Sequence, residues 1–200
     1  MKILVCLLAF ACLWAPGRSF AAQRDSLGHG RLAVAAVPLI MGGAAMTFCD
    51  RDFRDLRNSY AVGFRHDYDD YLQYAPLAFA WGLKACGVRS RSSWGRMIVS
   101  NAFSAALMAA MVNSLKYSVR AERPDGSTRN SFPSGHAATA FMAASILHKE
   151  FGHRSPWFSV GGYVAAAATG ITRQLNNRHW MSDIMVGAGI GILSVISSPI

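Results

Sequence analysis

The chain has 200 residues, of which 52% are hydrophobic and 16% are charged, and its formal net charge is +9 at pH 7. This length suits one domain with a sizeable core, and the low charged share is compatible with a membrane-embedded protein. The positive charge favours anionic partners such as phosphate esters or anionic lipid. A nucleic-acid partner is not expected, because the basic residues are not interleaved with aromatic residues in a recognisable motif.

The first 22 residues are typical of a secretory signal peptide. Lys2 precedes an apolar run over residues 3–14, and small residues around Ala21 and Ala22 fit a cleavage site. An uncleaved anchor is the alternative. We therefore predict a signal or anchor over residues 1–22 and one domain over residues 23–200.

Six apolar segments predict an all-α bundle of five to six core helices, embedded in a membrane and with an active site at one end. The segments cover residues 32–49, 71–88, 97–115, 137–148, 157–171 and 184–196. Frequent glycine, alanine and serine suit close helix packing in lipid or in a soluble bundle. Few segments reach the about 20 residues that a full span requires. Residues 50–70 carry many charges of both signs and predict a surface helix and loop with a solvated face.

Three polar blocks, residues 116–124, 133–136 and 172–183, interrupt the apolar segments. They follow the third and fifth predicted helices and precede the fourth and sixth, so we expect them at one end of the bundle. Basic residues at 89–96 and 149–154 lie at the other end. In a membrane, the positive-inside rule places those basic residues in the cytoplasm and the polar blocks in the periplasm. A cleaved signal followed by a spanning first helix would reverse this orientation.

The first block carries cations suited to an oxyanion. Lys116 and Arg123 are seven residues apart, about two helical turns, so we expect both on one side of the helix end. Pro124 is expected to end the helix. Arginine offers a planar fork of donors and lysine a point charge, a combination that suits phosphate. A solvated surface pair is the alternative.

The second block predicts a capped helix start that faces an anion. Ser134 is a good N-cap, and Gly135 lets a ligand approach the backbone. The first-turn amides and the positive end of the helix dipole favour a negative group. His136 could donate a proton to a leaving oxygen. An ordinary helix start with an exposed histidine is the alternative.

The third block holds the candidate reactive pair. His179 and Asp183 are four residues apart, so the carboxylate can reach the imidazole and hold one tautomer. An oriented imidazole is a competent nucleophile toward phosphorus. Arg173 would add a donor for the equatorial oxygens of the phosphoryl group. No carboxylate cluster or Cys/His grouping beside the blocks suggests a metal, so we expect none.

The three motifs together resemble the signature of the phosphatidic acid phosphatase type 2 superfamily, whose members include lipid phosphatases, soluble class A acid phosphatases and vanadium haloperoxidases. The matching motifs are Lys-x6-Arg-Pro, Pro-Ser-Gly-His and Thr-Arg-x5-His-x3-Asp, within residues 97–191. The third motif usually opens with serine, and Thr172 keeps a hydroxyl there. The resemblance implies an all-α bundle, with six membrane helices in the lipid phosphatases.

The resemblance also implies a role for each motif residue. His179 would form a phosphohistidine and Asp183 would orient it, while His136 would act as acid and then as base. The phosphate oxygens would be bound by the remaining motif residues, Lys116, Arg123, Ser134, Gly135 and Arg173.

Our leading hypothesis is a phosphatase in the cell-envelope membrane, with its site facing the periplasm. Its substrate would be a lipid phosphate, such as undecaprenyl pyrophosphate, a phosphatidate or the phosphate of lipid A, and no cofactor is expected. A soluble periplasmic acid phosphatase of broad specificity is the first alternative, and a haloperoxidase is another. From a different class, an inactive membrane or lipid-binding protein is disfavoured by the intact His136, His179 and Asp183. Residues 32–96 carry no motif that selects a substrate, and no oligomeric state is predicted.

Overall fold

The computed structural model describes residues 27–198, with side chains from residue 34 onward, and this range contains eight α-helices and no strand. They are α1 (Leu27–Met46), α2 (Asp50–Tyr60), α3 (Asp69–Leu72), α4 (Ala75–Ala85), α5 (Trp94–Val119), α6 (Gly135–Phe151), α7 (Pro156–Leu175) and α8 (Met181–Ile196). The all-α prediction is confirmed. The predicted signal or anchor over residues 1–22 lies outside the described residues.

Capping residues explain why two helices begin earlier than their apolar pattern predicts. The Ser93 hydroxyl accepts a hydrogen bond from the Arg96 amide at 3.4 Å, which starts α5 at residue 94. Ser155 caps α7 in the same way, with Pro156 at its first position. The single helix predicted over 71–88 is wrong, since the chain breaks between α3 and α4, and Pro76 lies in the first turn of α4.

Helix α8 forms the centre of the bundle and is buried along nearly its whole length, against α1 and α6. Two glycines of α8 allow α6 to pack closely against it. A Cβ at Gly187 would lie 2.4 Å from the Ser134 carbonyl oxygen, and one at Gly191 would lie 2.2 Å from that of Ala138. Both distances are far below van der Waals contact, so a side chain at either position would push the helices apart. This packing fixes the start of α6 beside the start of α8.

Residues 50–70 form a helix and a loop, as predicted, but the expected solvated face is wrong for two of the carboxylates. Asp50 is buried and accepts a hydrogen bond from the Ser182 amide at 3.0 Å. Asp69 is fully buried against Arg173. Buried carboxylates are stable only with such partners. The segment therefore packs on the first turn of α8 and the last turn of α7.

One helix of the described range, α5, is long and apolar enough to cross a membrane. Only 17% of its most apolar 18-residue window is buried, and its exposed side chains include Ile98, Val99 and Phe103. Residues 34–46 and 50–60 pass the same test together but are bent by 81° at their break. Helix α8 is apolar but shorter.

The basic loops lie together at the opposite end from the polar blocks. The Arg91 amide donates a hydrogen bond to the Glu150 carbonyl at 3.1 Å, and Arg154 Nε donates to the Arg89 carbonyl at 3.2 Å. These contacts join the α4–α5 loop to the α6–α7 loop. The two ends of the bundle therefore differ as the sequence predicts, with basic loops at one and the three motifs at the other.

Candidate active site

His179 lies in the loop between α7 and α8, and its side chain is 2% exposed. Its Nδ1 lies 2.8 Å from the carbonyl oxygen of Ser131. A carbonyl oxygen can only accept, so the ring carries its hydrogen on Nδ1. Nε2 is then left with a lone pair. The loop thus holds the imidazole in the tautomer that a nucleophile needs.

Asp183 stands behind the imidazole, but it is not the main acceptor for the ring. The Asp183 Oδ2 atom lies 3.6 Å from His179 Nδ1 and accepts a hydrogen bond from the Trp180 amide at 3.0 Å. The Ser131 hydroxyl donates to the same oxygen. The direct hydrogen bond expected between the histidine and the aspartate is therefore replaced by the Ser131 carbonyl, with the carboxylate close enough to stabilise a positive charge on the ring.

The environment keeps this imidazole neutral. Burial lowers the pKa of His179 to about 4, and the charges of Arg173 and Lys116 act in the same direction, while Asp183 opposes them. The ring is therefore unprotonated at neutral pH. The charges of Arg173, from the third motif, and of Lys116, from the first, therefore both act on this ring.

Lys116 and Arg123 reach the site from a helix and from a loop. The expectation that both lie on one helical face is wrong, because α5 ends at Val119 and Arg120 adopts a left-handed conformation with φ of 49°. Lys116 Nζ donates to the Asn130 carbonyl at 2.6 Å. The Arg123 amide donates to the Thr128 carbonyl at 3.0 Å, which folds the loop back toward the site.

The guanidinium groups of the site have unused donors. Arg123 Nε and Arg173 Nε are buried and have no hydrogen-bond partner within the described part of the chain. Burial lowers the pKa of Arg123, and the nearby positive charge of Arg173 adds to this effect. Buried donors without partners are costly, and so are adjacent like charges. A bound oxyanion would relieve both.

Arg173 is held from the side by the residues at the start of α3. Its Nη1 donates to Asp69 Oδ2 at 2.8 Å and lies 3.6 Å from Asp70 Oδ1. Asn176 Nδ2 approaches the other Asp69 oxygen at 3.4 Å. Since Asp69 is fully buried and Arg173 nearly so, this pair fixes the direction of the guanidinium.

The second motif starts α6 as the sequence predicts. The Ser134 hydroxyl accepts a hydrogen bond from the Ala137 amide at 3.3 Å, and the Ser134 amide donates to the Asp183 carbonyl at 3.0 Å. A Cβ at Gly135 would meet only Val112, at 4.0 Å. A ligand can therefore approach the backbone at Gly135, and the Gly135 and His136 amides are the first-turn amides left for an anion, since the Ala137 amide is bonded to Ser134.

His136 has a partner that sequence reasoning missed. Its Nε2 lies 2.7 Å from Asp70 Oδ1, although the two residues are 66 positions apart. Burial lowers the pKa of His136 and the charge of Arg173 acts in the same direction, while the hydrogen bond to Asp70 opposes them. Asp69, Asp70 and His136 also bring ligand atoms within 4.8 Å of one another, the kind of group that can hold a cation. The Arg173 guanidinium already lies beside both carboxylates.

Sequence reasoning thus missed Ser131, Asp69 and Asp70. Ser131 precedes the second motif by two residues and contributes mainly its carbonyl, which any residue type carries. The two aspartates belong to a segment whose charge pattern predicts a solvated surface. Nothing in the local pattern indicates a contact with α7.

Comparison with known proteins identifies the family of this chain. The model of the PAP2 superfamily matches residues 96–199, which hold all three motifs. The chain belongs to the PAP2 superfamily. The resemblance predicted from the motifs is confirmed.

One relative of this PAP2 chain and one solved structure of similar fold are informative. The lipid A 1-phosphatase of Porphyromonas gingivalis is 46% identical over 159 residues, which cover 79% of this chain and 36% of that protein. The chain therefore spans about a third of the length of that relative. The crystal structure of Aquifex aeolicus LpxE aligns with a TM-score of 0.54 and 23% identity, over 73% of this chain and 91% of the other. That second likeness concerns the fold alone.

Proposed function

We propose that this chain is a phosphatase that removes a phosphate group from a membrane lipid through a phosphohistidine intermediate. The observation that carries the proposal is the 2.8 Å contact between His179 Nδ1 and the Ser131 carbonyl, which leaves Nε2 free to attack. The site residues act without a metal, with Lys116, Arg123 and Arg173 supplying the positive charge.

In the first step, His179 Nε2 attacks phosphorus and the bond from phosphorus to the leaving oxygen breaks. His136, in its protonated form and hydrogen-bonded to Asp70, transfers its proton to that oxygen. The imidazole of His179 becomes positively charged, and Asp183 stabilises this charge from 3.6 Å. The motif cations and the first-turn amides of α6 stabilise the equatorial oxygens.

In the second step, water attacks phosphorus on the phosphohistidine. His136, now neutral, takes a proton from the water, and the bond between phosphorus and His179 Nε2 breaks. Inorganic phosphate leaves, and both histidines return to their starting protonation states. Ser134 and Gly135 hold the phosphate near the start of α6 in both steps.

A lipid A-type phosphate is the substrate we favour among the lipid phosphates considered. The 46% identity to a lipid A 1-phosphatase supports this choice. The exposed apolar surface of α5 supports a protein embedded in the envelope membrane, where such a lipid lies. The site would face the periplasm, opposite the basic loops.

The test is release of phosphate by the full chain in detergent from lipid A, phosphatidate and undecaprenyl pyrophosphate, with and without EDTA. We expect turnover to be highest on lipid A and insensitive to EDTA. The His179→Ala variant should lose at least about 10⁴-fold in kcat while keeping the helical content of the wild type.

His153→Ala is the matched control, because His153 is an exposed histidine away from the motifs. It should turn over at the wild-type rate. Labelled phosphate should remain on the wild-type protein after an alkaline quench and be absent from His179→Ala. An active His179→Ala variant would remove the proposed nucleophile, and loss of turnover in EDTA would remove the metal-free mechanism.

A further inference from the structure

An open pocket of about 420 Å³ lies between α2, the α5–α6 loop and the start of α8, and the three motifs do not explain it. We name it the arginine pocket. Its walls include Arg51 and Arg54 from α2, Glu122, Arg123 and Gly126 from the α5–α6 loop, and Trp180 at the start of α8. The volume falls within the range of small-molecule sites.

The arginine pocket adjoins the site for the scissile phosphate. Arg123 belongs both to the first motif and to the pocket wall, and Trp180 directly follows His179. A single ligand could therefore contact the pocket while its phosphate lies on the reactive imidazole.

The pocket has an excess of positive charge and of unused donors. Three arginines and one carboxylate line it, and among the described residues no ion pair joins Glu122 to an arginine. Arg51 is exposed and has no ion-pair partner among the same residues, and Arg123 Nε is buried without an acceptor. Such a surface favours an anion with several acceptor oxygens.

The aromatic wall of the pocket is held by contacts within the protein. Trp180 Nε1 donates to the Glu122 carbonyl at 2.7 Å, and the Arg54 guanidinium lies 5.6 Å from the centre of the indole ring. Arg54 is also held by Asp55 at 3.2 Å. The indole and the guanidinium are thus positioned before a ligand arrives, which lowers the entropic cost of binding. A flat apolar ring beside arginines suits a phosphorylated sugar.

We propose that the arginine pocket binds a second phosphate group, carried by the same glycolipid headgroup as the scissile phosphate. Arg51 and Arg54 bind that second phosphate, and Trp180 contacts the sugar between the two phosphates. This inference rests on the proposed function and adds a requirement of the substrate, namely two phosphates on one headgroup.

The test compares two glycolipids that both carry the scissile phosphate and differ only in the second phosphate. We expect the wild-type chain to have a KM at least about tenfold lower for the bisphosphorylated glycolipid, since charge-assisted hydrogen bonds are lost without the second phosphate. This preference should disappear in the Arg51→Gln/Arg54→Gln double variant. The single variant Arg51→Gln should reduce it, and this variant removes no hydrogen bond or ion pair among the described residues.

The control is Arg65→Gln/Arg129→Gln, which removes two exposed arginines outside the pocket. This variant should keep the wild-type preference, so a general effect of lost positive charge can be separated from the pocket. A wild-type chain that hydrolyses both glycolipids with the same KM would overturn the inference and leave the proposed function intact. A chain that releases phosphate from neither glycolipid, nor from phosphatidate or undecaprenyl pyrophosphate, would contradict the proposed function itself.

Inorganic phosphate shares the chemistry of the second phosphate, so its competition is measured in parallel. Weaker inhibition by inorganic phosphate in the double variant, without any change in the preference between the two glycolipids, would assign the pocket to the product instead and would overturn the inference.

Discussion

The imidazole of His179 depends on one backbone carbonyl for its reactivity. The Ser131 carbonyl holds the hydrogen on Nδ1, the Ser131 hydroxyl and the Trp180 amide hold Asp183, and burial keeps the ring neutral. The result is a nucleophile that is already unprotonated at neutral pH. The cost is a buried histidine that the folded chain cannot protonate easily in mild acid.

This cost predicts a pH dependence of stability. The pKa of His179 is about 4 in the folded chain and about 6.5 in the unfolded chain, so the unfolded state binds more protons between these values. The free energy of unfolding should therefore rise with pH from about 4 to 6.5 and level off above. The contribution is on the order of 3 kcal/mol.

Denaturant unfolding of the wild type and of His179→Asn, followed from pH 4 to 8 in detergent, measures the contribution of His179 to the pH dependence of stability. The difference in the free energy of unfolding between wild type and variant should rise with pH from about 4 to 6.5. The contributions of all other titrating groups cancel in this difference to first order. Parallel curves for the two proteins across this range would contradict the folded-state pKa.

At the scale of helices, α8 decides where the motifs meet. Its glycines let α6 approach, and its first turn receives hydrogen bonds from both Ser134 and Ser131. The start of α6, which would bind phosphate, is therefore tied to the start of α8, beside the nucleophile. The first motif reaches the same place because α5 ends at Val119 and the loop after it folds back.

This packing predicts a strong difference between two glycine substitutions. Gly191→Ala places a Cβ 2.2 Å from the Ala138 carbonyl oxygen, so we expect it to destabilise the fold by about 1–3 kcal/mol. Gly161→Ala is the matched control, since nothing lies within 4 Å of its Cβ in the exposed part of α7. It should be neutral or stabilise by about 0.5–1 kcal/mol. Equal melting temperatures for the two variants would contradict the close approach of α6 and α8.

At the scale of the molecule, the motifs gather three like charges and a neutral histidine at one end of an apolar bundle. The buried Asp69 partly offsets these charges through its ion pair with Arg173. The Nε groups of Arg123 and Arg173 have no hydrogen-bond partner among the described residues, so they can bind an anion. The outer surface of α5 presents apolar side chains to its surroundings. Both features fit a site that meets a charged headgroup at the edge of a lipid bilayer.

The proposed membrane location predicts different responses to two lysine substitutions. Phe103 is exposed within α5, so Phe103→Lys would place a charge in the hydrocarbon at a cost of about 2.5–3.5 kcal/mol. Val62 is an exposed apolar residue in the loop before α3, and Val62→Lys is the control. We expect the first variant to lose membrane-fraction protein and the second to retain it. Equal recovery of both variants without detergent would favour a soluble bundle.

The sequence alone determined the features that depend on neighbours within a turn or two. The helix start at Ser134, the open backbone at Gly135 and the proximity of His179 to Asp183 follow from local spacing, and so did the all-α class. The family signature is contained in such short motifs, which explains why the family could be predicted from the sequence.

Only the tertiary structure decided which groups complete the site. Asp70 lies 66 positions from His136, and Ser131 lies 48 positions from His179. Their contacts arise from the packing of α3 on α7 and of α6 on α8, for which no local pattern exists. The prediction that Lys116 and Arg123 share one helical face is also wrong, because the backbone leaves the helix between them. Hydrogen bonds and ion pairs between distant segments depend on how the helices pack, whereas caps and neighbouring pairs depend on the chain around them.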